Sequence, residues 1–363
     1  MNLNRRDVYP IKKKRNWLVI PAAILIILIG GFLLLFSSLQ KYIVYEKGSL
    51  RVELPFLAET DAEGDAVLDT YRPVVNAELV VEGYDFSNVQ TDAGEGITDL
   101  KALYVPYTDV NAENLPSYVE RLEINNANAL VLQVKPESGQ LVYNSGVEMA
   151  TSYGLTGTFD LAAEVANLKN QGIYLVADLT CCIDNLLVQR NQDVALKNVD
   201  GTVYRTDAGA WLDPYNTDIR EYLVDLCLEL RSYGFDEVLF TYAAHPEGAE
   251  VMYSQTMTTP PDAVSAISSF STYMEKAVGD KIKLSLRCST DALRNGVGAN
   301  GQDMELIFKV YDRVFCAADV NSFESDLALA LGYMEKENKA RFVPTAYTAL
   351  GDSSWMLLTW IEP

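Results

Sequence analysis

The chain has 363 residues, and its 50 acidic and 29 basic side chains give it a net charge of −21 at pH 7. Residues 1–16 contain six basic residues and one acid, so they carry +5 and the rest of the chain carries −26. A surface this acidic repels phosphate backbones and anionic lipid headgroups, which excludes nucleic acid as a partner.

The first predicted element is a transmembrane helix over residues 17–36. The segment reads WLVIPAAILIILIGGFLLLF and contains no charged residue. As a helix it would be about 30 Å long, which matches the hydrocarbon core of a bilayer. A cleaved signal peptide is the alternative, although the apolar stretch of such a peptide is shorter. Because basic residues precede the span, we expect residues 1–16 to be a cytoplasmic tail and the remainder to be extracytoplasmic, as in a single-pass protein of the cell membrane.

Residues 37–99 are predicted to form an extracytoplasmic stalk or linker. Two β-rich arms flank Lys47 and Gly48 within residues 42–54, a pattern typical of a short hairpin. Residues 58–69 are acidic and poor in large apolar side chains, as expected of a solvated connection.

From residue 100 to residue 363, short apolar runs alternate with amphipathic ones. The apolar runs predict eight strands, at residues 102–106, 129–135, 173–180, 237–242, 283–289, 313–319, 341–347 and 355–361. Helices are predicted between them, at residues 115–125, 160–171, 217–233, 262–278, 303–311 and 325–338. The clearest helical pattern is that of 217–233, with Thr217 as the expected N-cap and Gly234 as the terminator.

The order of these elements predicts an α/β fold of the (β/α)8 TIM-barrel type. Nearly continuous apolar strands separated by helices indicate parallel strands that are buried on both faces. Eight strands in about 260 residues fit a closed barrel better than an open doubly wound sheet, which remains the alternative. No helix is predicted after the eighth strand, so closure requires that strand to pair with the first.

Cysteine and histidine usage limits the possible chemistry. The chain has five cysteines and no CxxC pair, so a disulfide framework is not expected. We interpret all five as buried thiols, with a bridge between the adjacent Cys181 and Cys182 as the alternative. Since His245 is the only histidine, no multi-histidine metal site can form, and we expect neither metal nor cofactor.

Three segments at predicted strand ends are distinctive: NALVLQVKPESG (128–139), AWLDPYN (210–216) and GFDEVLFTYAAHP (234–246). Together they resemble the putative glycoside hydrolase domain family, bacterial TIM-barrel proteins that are often tethered to a membrane or secreted. The corresponding family patterns are NAVVIDVKDDSG, WVDPY and GFDEIQFDYIRFP. The resemblance runs from about residue 103 to the C-terminus and implies a glycan as substrate or partner.

The departures from the family pattern fall at its acidic positions. Thr241 stands where the family has the fourth-strand Asp, Ala244 replaces its Arg, and Gln133 and Pro136 replace acids of the second strand. Glycoside hydrolysis normally needs two carboxyl groups, roughly 5–9.5 Å apart across the scissile bond. Other acids near predicted strand ends could replace them: Glu137, Asp178, Asp184, Asp213, Glu247, Asp319 and Glu362. Of these we take Glu137, Asp184 and Asp213 as the catalytic candidates.

Aromatic rings are the expected lining of a sugar-binding cleft, because the flat faces of sugars pack against them. The predicted substrate-binding residues are these rings together with one lysine and the single histidine of the matched segments: Trp211, Tyr215, Tyr242, Tyr347, Trp360, Lys135 and His245. The hypothesis is therefore a membrane-anchored protein that binds or hydrolyses cell-surface polysaccharide, with degraded catalytic acids. The alternative is a scaffold that holds another envelope protein.

Overall fold

The computed structural model describes residues 43–46, 49–52, 99–254, 260–334 and 336–358. The predicted cytoplasmic tail, the transmembrane segment 17–36 and most of the linker lie outside these residues. Among the described residues, no helix is long and apolar enough to cross a bilayer. The chain divides into two compact units, Met1–Asp69 and Thr70–Pro363, which we describe separately.

In the first unit, β1 (Ile43–Glu46) pairs antiparallel with β2 (Ser49–Val52). Ile43 lies opposite Val52 and Glu46 opposite Ser49, so the two arms are joined by a two-residue connection. The hairpin predicted within residues 42–54 is confirmed.

The second unit contains a closed barrel of eight parallel strands, in the order β3-β4-β5-β8-β9-β10-β11-β12. These strands are β3 (Lys101–Val105), β4 (Ala129–Lys135), β5 (Tyr174–Thr180), β8 (Glu237–Thr241), β9 (Lys283–Cys288), β10 (Arg313–Ala317), β11 (Phe342–Ala346) and β12 (Trp355–Leu357). All eight predicted strands are present. Since Met356 of β12 pairs with Ala102 of β3, the sheet closes and the open-sheet alternative is wrong.

Nine α-helices are described in this unit. They are α1 (Leu115–Ile124), α2 (Glu148–Ser152), α3 (Leu161–Asn170), α4 (Asn185–Arg190), α5 (Thr217–Tyr233), α6 (Ala263–Val278), α7 (Thr290–Asn295), α8 (Met304–Val310) and α9 (Phe323–Ala330). A two-stranded ribbon, β6 (Arg205–Thr206) with β7 (Gly209–Ala210), lies in the long connection between β5 and α5.

Two predicted helix boundaries need correction. The N-cap of α5 is Asn216, whose side chain accepts a hydrogen bond from the amide of Ile219, whereas Thr217 is already helical. Gly234 does terminate α5, with a φ of 106° that an L-residue rarely adopts. The helix predicted at 325–338 is Phe323–Ala330, followed by a 3-10 turn at Lys336–Arg341.

The barrel interior is filled by side chains that alternate along the strands. One buried cluster there includes Val131, Val176, Leu239, Phe315 and Val343. A larger cluster contains the residues that face outward from the strands and pack against the helices. Every residue of β5 and β8 is buried, which explains why both strands are mostly apolar. All five cysteines are buried and free, so Cys181 and Cys182 do not form a bridge.

At the amino-terminal end of the strands the interior holds a buried ion pair. Glu237 of β8 pairs with Arg313 of β10, and Ser285 of β9 donates a hydrogen bond to the same carboxylate. The hydroxyl of Tyr174 on β5 donates a further bond to Glu237 at 2.9 Å. Four strands are thus connected across the barrel, at the end opposite to the one where barrel chemistry occurs.

Candidate functional site

A cavity of about 530 Å³ lies at the carboxyl-terminal ends of the barrel strands. Strand ends and the loops that follow them contribute its walls. The lining residues are Tyr104, Gln133, Glu137, Asp178, Tyr204, Thr206, Trp211, Thr241, Tyr242, Ala244, His245, Pro246, Glu247, Arg287, Cys288, Ser289, Asn300 and Gln302. This volume is sufficient for a small ligand, and the position is the one that TIM barrels use for binding and catalysis.

Asp178 is the most deeply buried acid of the cavity wall, only 1 % exposed, near the end of β5. Its carboxylate accepts a hydrogen bond from the hydroxyl of Thr241 at 2.8 Å and another from that of Tyr104 at 3.1 Å. Burial raises the pKa of Asp178, and the charge of Glu137 adds to the rise, while Arg287 and the two hydroxyl groups oppose it. The net effect favours the protonated acid, as is typical of a proton donor.

Glu137 provides a second carboxyl group on the cavity wall, from the loop that follows β4. Its backbone carbonyl accepts hydrogen bonds from the amide of Asn185 at 3.2 Å and from the side chain of Asn185 at 3.1 Å. These bonds fix the loop and leave the Glu137 side chain toward the cavity. Glu247, from the loop after β8, is the third acid of the lining.

Two aromatic rings meet at the cavity. Trp211 and Tyr242 are in edge-to-face contact with ring centroids 6.4 Å apart, and the indole nitrogen donates to the hydroxyl of Thr206 at 2.9 Å. Tyr242 has a φ of 51°, an uncommon conformation for a bulky residue. Strain of this kind is found at sites where the surrounding structure must hold one particular side-chain direction.

His245 also lines the cavity, as predicted, and is almost completely buried. Its Nδ1 lies 3.0 Å from the carbonyl of Pro246, and its amide donates to the carbonyl of Asn300 at 2.8 Å. Burial lowers the pKa of His245, which keeps the imidazole neutral at pH 7. Because Nδ1 of a neutral ring donates to the carbonyl of Pro246, Nε2 remains as a hydrogen-bond acceptor for a ligand.

Lys135 and Asp184, both predicted site residues, lie behind the cavity and do not line it. They form a fully buried ion pair at 2.9 Å, and the Lys135 ammonium donates to the carbonyl of Thr180. The other oxygen of Asp184 caps α4 through the amide of Leu187 at 2.7 Å. These contacts connect the ends of β4 and β5 to the helix that follows, so Lys135 and Asp184 stabilise the fold at this place.

Asp213 is also buried and does not line the cavity. One carboxylate oxygen accepts from the amide of Tyr215 at 2.7 Å, and the other from the amide and hydroxyl of Ser254 at 2.7 and 2.6 Å. Three hydrogen bonds leave this carboxylate little capacity for a substrate. The catalytic assignment of Asp184 and Asp213 therefore does not fit their placement, whereas that of Glu137 does.

The remaining predicted rings lie away from the cavity or outside the described residues. Tyr215 packs edge-to-face on Tyr253, and the guanidinium of Arg220 lies 4.8 Å from its ring centroid. Tyr347 is 69 % exposed after β11 and is not part of the lining. Trp360 lies beyond the described residues.

Two central residues of the cavity were not chosen as site residues from the sequence. Asp178 was named among the acids near strand ends but not taken as a catalytic candidate, and Arg287 was not named at all. Asp178 lies on the same face of β5 as Tyr174 and Val176, and Arg287 lies on the same face of β9 as Ser285. Both therefore face the barrel interior. The alternation of a strand puts Asp178 on one face of β5 with Tyr174 and Val176, but both faces of this strand are buried, so the sequence did not indicate which face is the interior one.

The sequence model of the putative glycosyl hydrolase domain family matches residues 102–315, more than half of the chain. The chain belongs to this family. The matched region runs from β3 to β10 and includes Glu137, Asp178 and Arg287. Among curated proteins, none matches the chain.

Similar solved structures include a hypothetical protein from Ruminiclostridium thermocellum, 26 % identical, with a TM-score of 0.46, where the alignment covers 51 % of this chain and 96 % of that one. The spore cortex-lytic enzyme SleL of Bacillus megaterium is 12 % identical, with a TM-score of 0.41 and coverage of 68 % and 50 %. A GH20 β-N-acetylhexosaminidase from Streptomyces coelicolor is 11 % identical, with a TM-score of 0.45 and coverage of 68 % and 47 %. The chain thus spans about half the length of the latter two proteins.

Proposed function

We propose that this protein is anchored in the cell membrane by residues 17–36 and uses the barrel cavity, outside the cytoplasm, to bind and hydrolyse a cell-surface polysaccharide. The observation that carries the proposal is the presence of two carboxyl groups, Asp178 and Glu137, on the wall of one cavity at the carboxyl-terminal end of the barrel. Asp178 is the proton donor to the leaving oxygen, and Glu137 is the carboxylate that attacks the anomeric carbon or activates water.

The division of roles follows from the surroundings of the two acids. Asp178 is buried and its pKa is raised, so it can hold a proton at a pH where a solvated carboxyl is ionised. Glu137 is only partly buried, on a loop, and no hydrogen bond to its carboxylate is present among the described residues. Its oxygens are therefore available to a substrate or a water molecule.

The replacement of the family's fourth-strand acid by Thr241 is compatible with hydrolysis in this arrangement. The Thr241 hydroxyl donates a hydrogen bond of 2.8 Å to Asp178. A carboxyl group on the neighbouring strand therefore lies next to the position where the family has its fourth-strand acid. Trp211 and Tyr242 supply ring surface for a sugar, and the polar lining supplies donors and acceptors for its hydroxyl groups.

Hydrolysis is tested with the full chain purified in detergent and incubated with peptidoglycan, β-glucans and chitin, with reducing ends as the readout. We expect Glu137→Gln and Asp178→Asn each to lower the rate by at least about 100-fold, because a general acid or base commonly contributes that much. Glu305→Gln, on the exposed side of α8, is the matched control and should retain wild-type activity.

Two outcomes would count against the proposal. If neither binding nor cleavage of any glycan is observed with the wild-type chain, the cavity is not a saccharide site. If cleavage is observed but survives both substitutions, the catalytic groups are elsewhere.

The proposed location is tested separately by expressing the full chain and a variant that lacks residues 17–36. The full chain should remain with the membrane after washing at high salt and should be digested by protease added to intact spheroplasts. The shortened variant should be found in the soluble fraction. Retention of the shortened variant in the membrane, or protection of the full chain, would contradict the anchor.

A further inference from the structure

Two tyrosines at the mouth of the barrel expose their rings. Tyr242 is 37 % exposed and Tyr347 is 69 % exposed, whereas the other aromatic side chains described in the barrel unit are buried or half-buried. Each is the first residue after a barrel strand, Tyr242 after β8 and Tyr347 after β11. Since all eight strands are parallel, both residues lie at the carboxyl-terminal end of the barrel, which is also the end with the cavity.

No contact with the rest of the described chain explains this exposure. The hydroxyl groups of Tyr242 and Tyr347 form no hydrogen bond with any described residue. A single exposed apolar residue is ordinary on a protein surface. Here, however, the exposed rings of the barrel unit share one end of it, and that end carries the cavity. We therefore expect a ligand to cover them.

Tyr242 occupies the inner position, because it belongs to the cavity wall. Its carbonyl accepts a hydrogen bond from the amide of Cys182 at 3.1 Å, which fixes the backbone where φ is 51°. Trp211 is only 7 % exposed and contacts Tyr242 edge to face, so the ring surface open to a ligand here is mainly that of Tyr242. Burial raises the pKa of Tyr242 and the charge of Glu137 adds to the rise, so this proposed catalytic carboxylate lies near the ring.

Tyr347 occupies an outer position on the same rim. β11 is three strands from β8 around the barrel, since β9 and β10 lie between them. Because neighbouring strands are about 4.8 Å apart, the two positions are separated by roughly 14 Å along the sheet. One pyranose ring cannot contact both tyrosines, whereas a chain of several sugar units can.

The cavity has no described wall on the side of Tyr347. Its lining comes from β3, β4, β5, β8, β9 and the connections after them, and among the described residues it includes none from β10, β11 or β12. The connections after β10 and β11 are short, over residues 318–322 and 347–354. A saccharide chain bound beside Tyr242 can therefore leave the cavity over the end of β11.

We infer that Tyr347 forms a second, outer saccharide subsite, and that the substrate is a chain of several pyranose units that stacks on both Tyr242 and Tyr347. This inference rests on the proposed function and specifies its substrate class, which is an oligosaccharide or polysaccharide bound over several units. The apolar face of a pyranose, which carries C–H bonds, is the surface that packs on an aromatic ring.

The test measures the affinity of the full chain in detergent for chito-, cello- and laminari-oligosaccharides, from dimer to hexamer. For at least one series we expect the wild type to bind the hexamer about 10-fold or more tightly than the dimer. In Tyr347→Ala the affinity for the hexamer should fall to nearly that for the dimer, and the affinity for the dimer should not change. Tyr347→Phe keeps the ring and should retain the wild-type ratio, whereas Tyr242→Ala should weaken the binding of both lengths.

Ile124→Ala is the matched control. Ile124 is also a large exposed apolar residue, but it ends α1 where the chain leads into the amino-terminal end of β4, opposite to the mouth. Its replacement should leave both affinities unchanged. Thermal unfolding of each variant shows whether it is folded.

The outcomes separate the inference from the proposed function. If dimer and hexamer bind equally tightly, or if Tyr347→Ala leaves the affinity for the hexamer unchanged, the inference is wrong and the saccharide function stands. Equal weakening of dimer and hexamer binding by Tyr347→Ala would also overturn the inference, because the substitution would then act on the cavity itself. If no oligosaccharide of any length binds to the wild type, the outer subsite and the proposed function both fail.

Discussion

Two hydroxyl groups hold the carboxyl of Asp178 at the mouth of the barrel. Their hydrogen bonds stabilise the ionised form, but burial has the larger effect, and the pKa of Asp178 is raised. Keeping this acid in the cavity therefore has an energetic cost whenever it is ionised. Such a cost is common at active sites, where a group is retained for chemistry at the expense of stability.

This cost predicts a pH-dependent gain of stability in Asp178→Asn. Below about pH 4 the acid is protonated in both the folded and the unfolded chain, so its ionisation does not reduce the free energy of unfolding. As the pH rises toward and through the raised folded-state pKa, the free energy of unfolding of the wild type falls, whereas that of Asp178→Asn does not, because its amide does not ionise. We expect urea unfolding to show the variant more stable than the wild type at pH 7.5, with a difference that shrinks toward pH 4. A difference that is constant with pH would contradict this account.

At the scale of elements, the loops after the strands depend on close backbone approaches. Gly139, in the loop that follows β4, has a φ of 88° and lies against Asp184, whose carboxylate caps α4. A Cβ at this position would lie 1.8 Å from Oδ1 of Asp184. The loop that carries Glu137 can therefore follow its path only with glycine at residue 139.

Gly139→Ala is expected to destabilise the protein by at least about 3 kcal/mol, because the clash and the unfavourable φ act together. Gly154→Ala is the matched control, since Gly154 has a φ of 65° but nothing lies within 4 Å of the added carbon. It should cost only about 1 kcal/mol. Urea unfolding of both variants measures the difference, and equal losses would show that the contact with Asp184 is unimportant.

The ion pair between Glu237 and Arg313 connects β8 to β10 inside the barrel. Removal of one partner leaves a buried charge without compensation, so Arg313→Met should destabilise the protein by about 3–5 kcal/mol. Replacement of both charges, in Glu237→Leu with Arg313→Met, should recover most of that loss. Chemical unfolding tests this pair of expectations. A double variant no more stable than the single one would indicate that the pair itself is required for packing.

At the scale of the whole molecule, closure of the barrel depends on its shortest strand. β12 is only Trp355–Leu357, yet it pairs with β11 on one side and with β3 on the other. Trp355 and Met356 are buried. Without β12, two neighbouring strands would expose unpaired edges, which promote aggregation.

A chain that ends at residue 354 should therefore fail to form the native barrel, whereas one that ends at residue 358 retains β12 and should fold. The soluble fraction and the near-ultraviolet circular dichroism of the two truncated chains measure this. If both fold equally well, closure does not depend on β12.

The sequence predicted the barrel well and the site less completely. The eight strands were found because parallel strands covered on both faces leave apolar runs that local composition reveals. Glu137, Trp211, Tyr242 and His245 were placed at strand ends and do line the cavity. Asp184 and Asp213 were also placed at strand ends, but their carboxylates satisfy backbone amides and a buried lysine.

The sequence by itself determined the alternation of strand and helix, the number of strands, the family and the acidity of the chain, because each is local or a sum over residues. The tertiary structure decided which acids share the cavity. Every residue of β5 is buried, so composition does not distinguish the face of Asp178, which points inward, from the face that packs against helices. Only closure of the barrel brings Asp178, Glu137 and Arg287 from three different strand ends to one cavity.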